Sequence, residues 1–155
     1  MYGNLKAAIQ AWIVNKVPNV NPQWVYNYEP TLPSGFPAIS ITAWSGEGVF
    51  ADTARNRRDY TFRIRVYQER VTVGTQGNLS PESEAERILT AFVDNIIGAF
   101  DSNTRDGNNN GAYNLGGAVP NLVFVHVIPQ QWGYVNAPNM NMRTADIMLK
   151  ATVVQ

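Results

Sequence analysis

The residues of this chain that could do chemistry are few: one histidine, two arginines a strand-repeat apart, and a short run of Asp, Asn and Gly. Catalysis needs groups of matched acidity held together in a site. His126 is the only histidine, and it sits inside Val125-His126-Val127, where a half-buried, hydrogen-bonded side chain is expected rather than a base. There is no cysteine. Zinc sites and Ser-His-Asp or Cys-His arrangements therefore have little to draw on. Gly-x-Ser-x-Gly, the P-loop and Gly-x-Gly-x-x-Gly do not occur.

Asp106-Gly107-Asn108-Asn109-Asn110-Gly111 matches the first half of a calcium loop, with oxygen donors at its first, third and fifth positions and Gly at the sixth. The twelfth position, where a bidentate carboxylate belongs, is Gly117. An Asn/Gly turn without a metal is the stronger reading. Asn78-Leu79-Ser80 fits a glycosylation acceptor, but Ser80 serves better as a helix cap. The residues thus point to no enzyme, no cofactor and no metal site.

Arg63 and Arg65 share one face of a strand, and Asp146 and Lys150 share the matching face of another. They form either a solvated sheet face with modest cross-strand ion pairs or a face that meets a neighbouring subunit. The charged stretch before them, with Glu47, Asp52, Arg55, Arg57 and Arg58, is either a free polar hairpin or an arm ordered by a partner.

Composition sets the frame. Over 155 residues, twelve Lys and Arg balance twelve Asp and Glu, and only 15% of residues are charged, against about 25% in an average globular chain. A neutral chain has no long-range field to attract DNA. Low charge leaves more uncharged surface for other subunits to cover. With 45% hydrophobic residues, one ordinary core is affordable without disulfides, which suits a reducing cytoplasm. No secretory signal and no membrane-spanning run are expected.

The elements follow from periodicity. Leu5, Ala8, Ile9, Trp12 and Ile13 fall at helical spacing, and Pro18 and Pro22 end that helix. Residues 23–28 suit one short strand. Residues 37–44 alternate, with Ile39 and Ile41 opposite Ser40 and Thr42, as a half-buried strand does. A polar loop is expected over 45–58. In 58–69, Tyr60, Phe62, Ile64 and Val66 oppose Thr61, Arg63, Arg65 and Tyr67. After a Gly-containing loop over 71–79, Ser80 and Pro81 open a second helix, with Glu82, Glu84 and Glu86 complementing its dipole. Its stripe is Ala85, Ile88, Leu89, Phe92, Val93, Ile96, Ile97 and Phe100.

Residues 101–118 show no periodicity and read as a long loop. A strand over 121–128 should break at Pro129, a short aromatic piece follows at 131–135, and a final strand spans 143–154. The fold expected is a single α/β (α+β) domain over 1–155, with two helices flanking a largely antiparallel mixed sheet.

In order, Gly35-Phe36-Pro37-Ala38-Ile39-Ser40-Ile41, Tyr60-Thr61-Phe62-Arg63-Ile64-Arg65-Val66-Tyr67-Gln68-Glu69, Glu84-Ala85-Glu86-Arg87-Ile88-Leu89, Trp132-Gly133-Tyr134-Val135 and Arg143-Thr144-Ala145-Asp146-Ile147 resemble the tail terminator or neck proteins of long-tailed phages. The resemblance implies a subunit without catalytic residues that closes into a six-fold ring. Such a ring caps the tail tube and joins it to the head-side connector, and a head–tail adaptor or stopper ring is the alternative. The implied partners are copies of the chain itself, the tail tube protein, the connector or stopper and, in a sheathed tail, the sheath. DNA is only passing cargo. The implied location is the virion, assembled in the host cytoplasm. A small ligand-binding domain is the remaining reading, and it would show a deep pocket with convergent polar groups.

Overall fold

The computed structural model describes residues 1–44, 48–50, 56–69, 81–137 and 140–154. The expected N-cap Ser80, the loop over 71–79 and residues 45–47 and 51–55 of the loop expected over 45–58 lie outside the described residues; the rest of that loop, Gly48–Phe50 and 56–58, is instead strand, the two stretches paired antiparallel. Helix α1 (Tyr2–Lys16) buries Leu5, Ile9 and Ile13, one residue per turn. The Val17 N–H closes it by donating to the Ile13 carbonyl, and Pro18 prevents another turn. A 3-10 turn over Pro22–Trp24 and the two-residue strand β1 (Val25–Tyr26) follow. The single strand expected over 23–28 is therefore mostly turn, because Pro22 at the first position favours helical geometry.

Strands β2 (Ala38–Ala43), β3 (Gly48–Phe50) and β4 (Asn56–Glu69) precede helix α2 (Pro81–Asp101), and β5 (Leu122–Ala137) and β6 (Met140–Val154) complete the chain. The six strands form one sheet in the order β1-β2-β4-β6-β5, with β3 paired to β4 off that path. Only β1–β2 is parallel; the other pairings are antiparallel. The α+β fold with a largely antiparallel mixed sheet is as the sequence implies.

The inner sheet face carries Phe62, Ile64 and Val66 opposite Leu149, Ile147 and Ala145 in register. Both helices cover this face. Leu89, Phe92, Val93, Ile96 and Phe100 of α2 join Leu5, Ile9 and Ile13 of α1 and the inner strand residues in one buried cluster. Ile97 packs against it only partly buried. The Trp12 indole N–H donates to the Ala99 carbonyl at 3.1 Å and fixes α1 beside α2.

Three expectations are corrected. Pro129 does not end a strand: β5 runs through it, with register irregularities at 122/124 and 129/131. A proline is tolerated there because β5 is the edge of the sheet, where a missing N–H removes no ladder bond on the inner side. Ser40, expected on a half-exposed face, is fully buried, and its hydroxyl lies 3.3 Å from the Tyr67 hydroxyl.

The third correction concerns residues 101–118, which are structured despite their lack of period. Asp106 Oδ1 accepts from the Asn108 and Asn110 amides at 2.8 and 2.9 Å, Arg105 bridges Gly111, and a 3-10 segment over Ala112–Gly117 follows. Leu115, at φ 52, turns its side chain into the core beside Val119. That left-handed residue costs on the order of 1 kcal/mol, and burial of its side chain offsets it.

Candidate assembly surface

The outer sheet face has an uneven cover. At the β1 end, the segment between β1 and β2 folds back across it. Gly35 lies against the Trp24 ring, where a Cβ would overlap the indole, and the Ser34 amide donates to the Tyr26 hydroxyl at 2.9 Å. Glu29, in the same segment, reaches over β4 to both Arg63 and Arg65.

The cross-strand partner read from the sequence is present. Arg65 donates through Nε and Nη2 to the two carboxylate oxygens of Asp146 at 2.7 and 3.0 Å, a two-point contact that raises the guanidinium pKa against the opposing effect of burial. Arg63 lies beneath the Trp44 ring, 4.8 Å from its centroid, and its Nε is buried without an acceptor. Burial, and next the like charge of Arg65, lower its pKa. Two cations and two carboxylates thus balance within one chain. Arg63 and Arg65 are half-buried, and the cross-strand ion pair expected between Arg65 and Asp146 is present. Reversal of both arginines to glutamate would place four carboxyl groups together.

The other candidate residues separate. Arg57 and Arg58 stand exposed at the start of β4, and Arg57 Nε is 3.6 Å from Asp59. Glu47, Asp52 and Arg55 lie outside the described residues. Asp59 was not singled out by the sequence, yet it organises this corner. It is buried, its Oδ1 accepts the Thr152 hydroxyl at 2.7 Å, and Lys150 Nζ lies 3.4 Å from Oδ2. Burial works to raise its carboxyl, but the Thr152 hydroxyl, Lys150 and Arg57 together outweigh it and hold the pKa below its ordinary value. The strand register, which sets Asp59 against Thr152, is the signal that could have revealed it.

Toward β5 the outer face is bare. Phe124, His126 and Ile128 follow one another along it, facing Thr152, Lys150 and Met148. His126 is exposed, not half-buried, and stacks on Phe124 with ring centroids 6.0 Å apart. Among the described residues, no carboxylate or hydroxyl bonds its ring. Farther along β5, past the irregularity at 129/131, Trp132 and Tyr134 lie on the helix-covered side opposite Ala145 and Arg143, and the Arg143 guanidinium lies 5.8 and 4.6 Å from their centroids and donates to Glu86 of α2 at 2.8 Å.

A groove of about 620 Å³ beside the C-terminal half of α2 is lined by Trp12, Lys16, Asp94, Arg105 and Asp106, among others. Several of its polar groups are already engaged. Asp106 holds backbone amides, Arg105 lies 4.2 Å over Tyr113, and Lys16 lies 5.2 Å over Trp12. Among the described residues, no group of three or more His, Asp or Glu is placed to hold a metal ion. No described helix is long and apolar enough to cross a membrane.

No family model matches the chain, and no curated protein matches it. Among solved structures, a chain of the "Virion of native gene transfer agent (GTA) particle" is similar, with 15% identity, a TM-score of 0.45, and coverage of 99% of this chain and 97% of that one.

Proposed function

We propose that this chain is a non-enzymatic virion subunit, acting as one domain, that assembles into a ring, closes a phage-type tail tube and joins it to the head-side connector. The observation that carries the reading is the bare margin of the sheet. A chain with only 15% charged residues leaves Phe124, Ile128, Trp132 and Tyr134 exposed along one strand, and aromatic-rich, charge-poor surface is what the centre of a protein interface is made of. The tail terminator resemblance, set by the order of motifs from Phe36 to Val154, supports the choice of assembly. Arg57 and Arg58, with Glu47, Asp52 and Arg55, are proposed to contact neighbouring subunits at the rim, where charge steers docking more than it adds affinity.

The test is the mass of the purified protein, alone and mixed with its tail tube protein and with its connector. A ring, expected as a hexamer, that binds the tube end supports the terminator. A ring that binds only the connector makes the chain the adaptor or stopper. A monomer that binds neither overturns the proposal.

A further inference from the structure

In an Asn-Gly pair the backbone nitrogen of the glycine can reach the asparagine carboxamide, because no Cβ stands in its way. That nitrogen bonds to Cγ, the Cγ–Nδ2 bond breaks, and ammonia leaves with the proton the glycine nitrogen gives up. Water then opens the resulting succinimide at either carbonyl, so the product is aspartate or isoaspartate. Asn110-Gly111 is the one Asn-Gly pair among the 155 residues.

Packing puts the glycine there. Gly111 is buried, and a Cβ on it would lie 2.7 Å from the Thr104 carbonyl oxygen, beside the bridge that joins Arg105 to Gly111. The fold therefore requires a reactive pair, and it also holds that pair still. The Asn110 N–H donates to Asp106 Oδ1 at 2.9 Å, and the Asn110 carbonyl accepts the Asp106 N–H at 2.8 Å. One side chain holds both reacting groups. Asn114 Oδ1 accepts the Gly111 N–H at 3.1 Å, while Asn114 Nδ2 donates to Asn110 Oδ1 at 3.0 Å. The Asn110 carboxamide also lies against Gly117, where a Cβ would come within 3.0 to 3.1 Å of its atoms. Bringing the Gly111 nitrogen onto Cγ turns the peptide plane between the two residues and the carboxamide together. That motion breaks both Asn114 bonds and the bond from Asp106 to the Asn110 carbonyl.

We propose that Asn110-Gly111 is a latent modification site, closed by Asn114 and deamidated only when residues 105–117 come loose. It does not depend on the ring reading. The product does not fit back. Aspartate keeps an acceptor for Asn114 but sets a second carboxylate beside Asp106, which already bonds residue 110, and like charges so placed repel. Isoaspartate adds one backbone carbon between the amide that Asp106 holds and the amide that Asn114 holds, so the two bonds lose their register. Leu115 reaches the core from this segment, and Gly116 lies against Trp12 of α1. An opening that lasts long enough is thus recorded as a permanent loosening beside α1.

The test keeps the purified chain in mildly alkaline buffer and follows the peptide carrying residue 110 by mass spectrometry. Folded wild type should deamidate roughly tenfold or more slowly than the same chain in urea, since reaction in the fold waits on local opening. Asn114→Ala should recover much of the urea rate while still unfolding cooperatively. Asn114→Asp keeps the acceptor for the Gly111 N–H and removes the donor to Asn110, so its rate should fall between. Folded wild type reacting at the urea rate overturns the proposal, and so does a folded Asn114→Ala that reacts no faster than wild type. Where Asn114→Ala does not fold, Asn114→Asp takes its place under the same criterion. Hydrogen exchange at the Asn108 and Gly116 amides should be faster in deamidated protein than in fresh protein. Equal exchange would overturn the one-way loosening.

Discussion

Asp59 shows how one side chain acquires a stability role from its neighbours. Its carboxyl is held below the ordinary value chiefly because the Thr152 hydroxyl, Lys150 and Arg57 outweigh burial. A carboxyl whose folded pKa is depressed contributes stability above its unfolded pKa, and that contribution disappears as pH falls through the folded pKa. Thr152→Val keeps the shape, removes the donor and leaves a charged acceptor short of one bond, which should cost about 1.5–3 kcal/mol at neutral pH. Urea unfolding should show that loss shrinking below the carboxylate range. A carboxyl-carbon NMR titration should show Asp59 moving upward. Equal losses at pH 7 and pH 2 would mean that the hydroxyl acts by packing alone. The Arg65–Asp146 pair was legible from alternation along two strands. Glu29 was not, because nothing local tells a residue in a turn-rich segment that it will cross two strands to reach Arg63.

At the scale of elements, the sequence reveals whatever repeats with a period. Helix α2 and strands β2, β4 and β6 follow their 3.6- or 2-residue patterns, and their inner faces meet as the patterns require. Phe92→Ala should accordingly cost ~3–5 kcal/mol by denaturant unfolding, since Phe92 lies in the cluster shared by both helices and the sheet. A cost under 1 kcal/mol would mean that the site collapses freely. Structure without a period stayed hidden. Asp106 and Leu115 order residues 101–118 through backbone amides and a left-handed turn, which hydrophobic spacing does not report. The fold-back after β1 is a similar case, held by contact between Gly35 and Trp24. Gly35→Ala should cost about 1–3 kcal/mol, because the new methyl and the indole cannot both keep their places. Quenching or a shift of tryptophan fluorescence in the native state would accompany the loss; an unchanged spectrum and stability would show that the segment yields without cost.

The molecule as a whole is a layer with two unlike faces: both helices lie on one, while the other is covered by the segment after β1 at one side, carries charge pairs on β4 and β6, and is left bare near β5. Its two most extensive pairings also differ in how far apart they lie along the chain. Strands β5 and β6 pair from Ala137–Met140 outward, with irregularities at 122/124 and 129/131, whereas β4 meets β6 only by bringing residues 57–69 against residues 142–154. Closing a short loop is fast, and distant pairings are slow because chain entropy is lost before contacts form. The hairpin should therefore be present when the rate-limiting barrier is crossed, with β6 then serving as the template on which β4 docks. Val127→Ala on β5 should slow refolding nearly in proportion to its loss of stability, while Ile41→Ala on β2 should mainly hasten unfolding. Stopped-flow chevrons for the two variants would decide the order, and the reverse pattern would place the nucleus in the β2–β4 half. In that sequence of events the apolar margin of β5 exists before the rest of the sheet does, so a nascent chain presents its stickiest edge early, at the stage when wrong partners are most easily found.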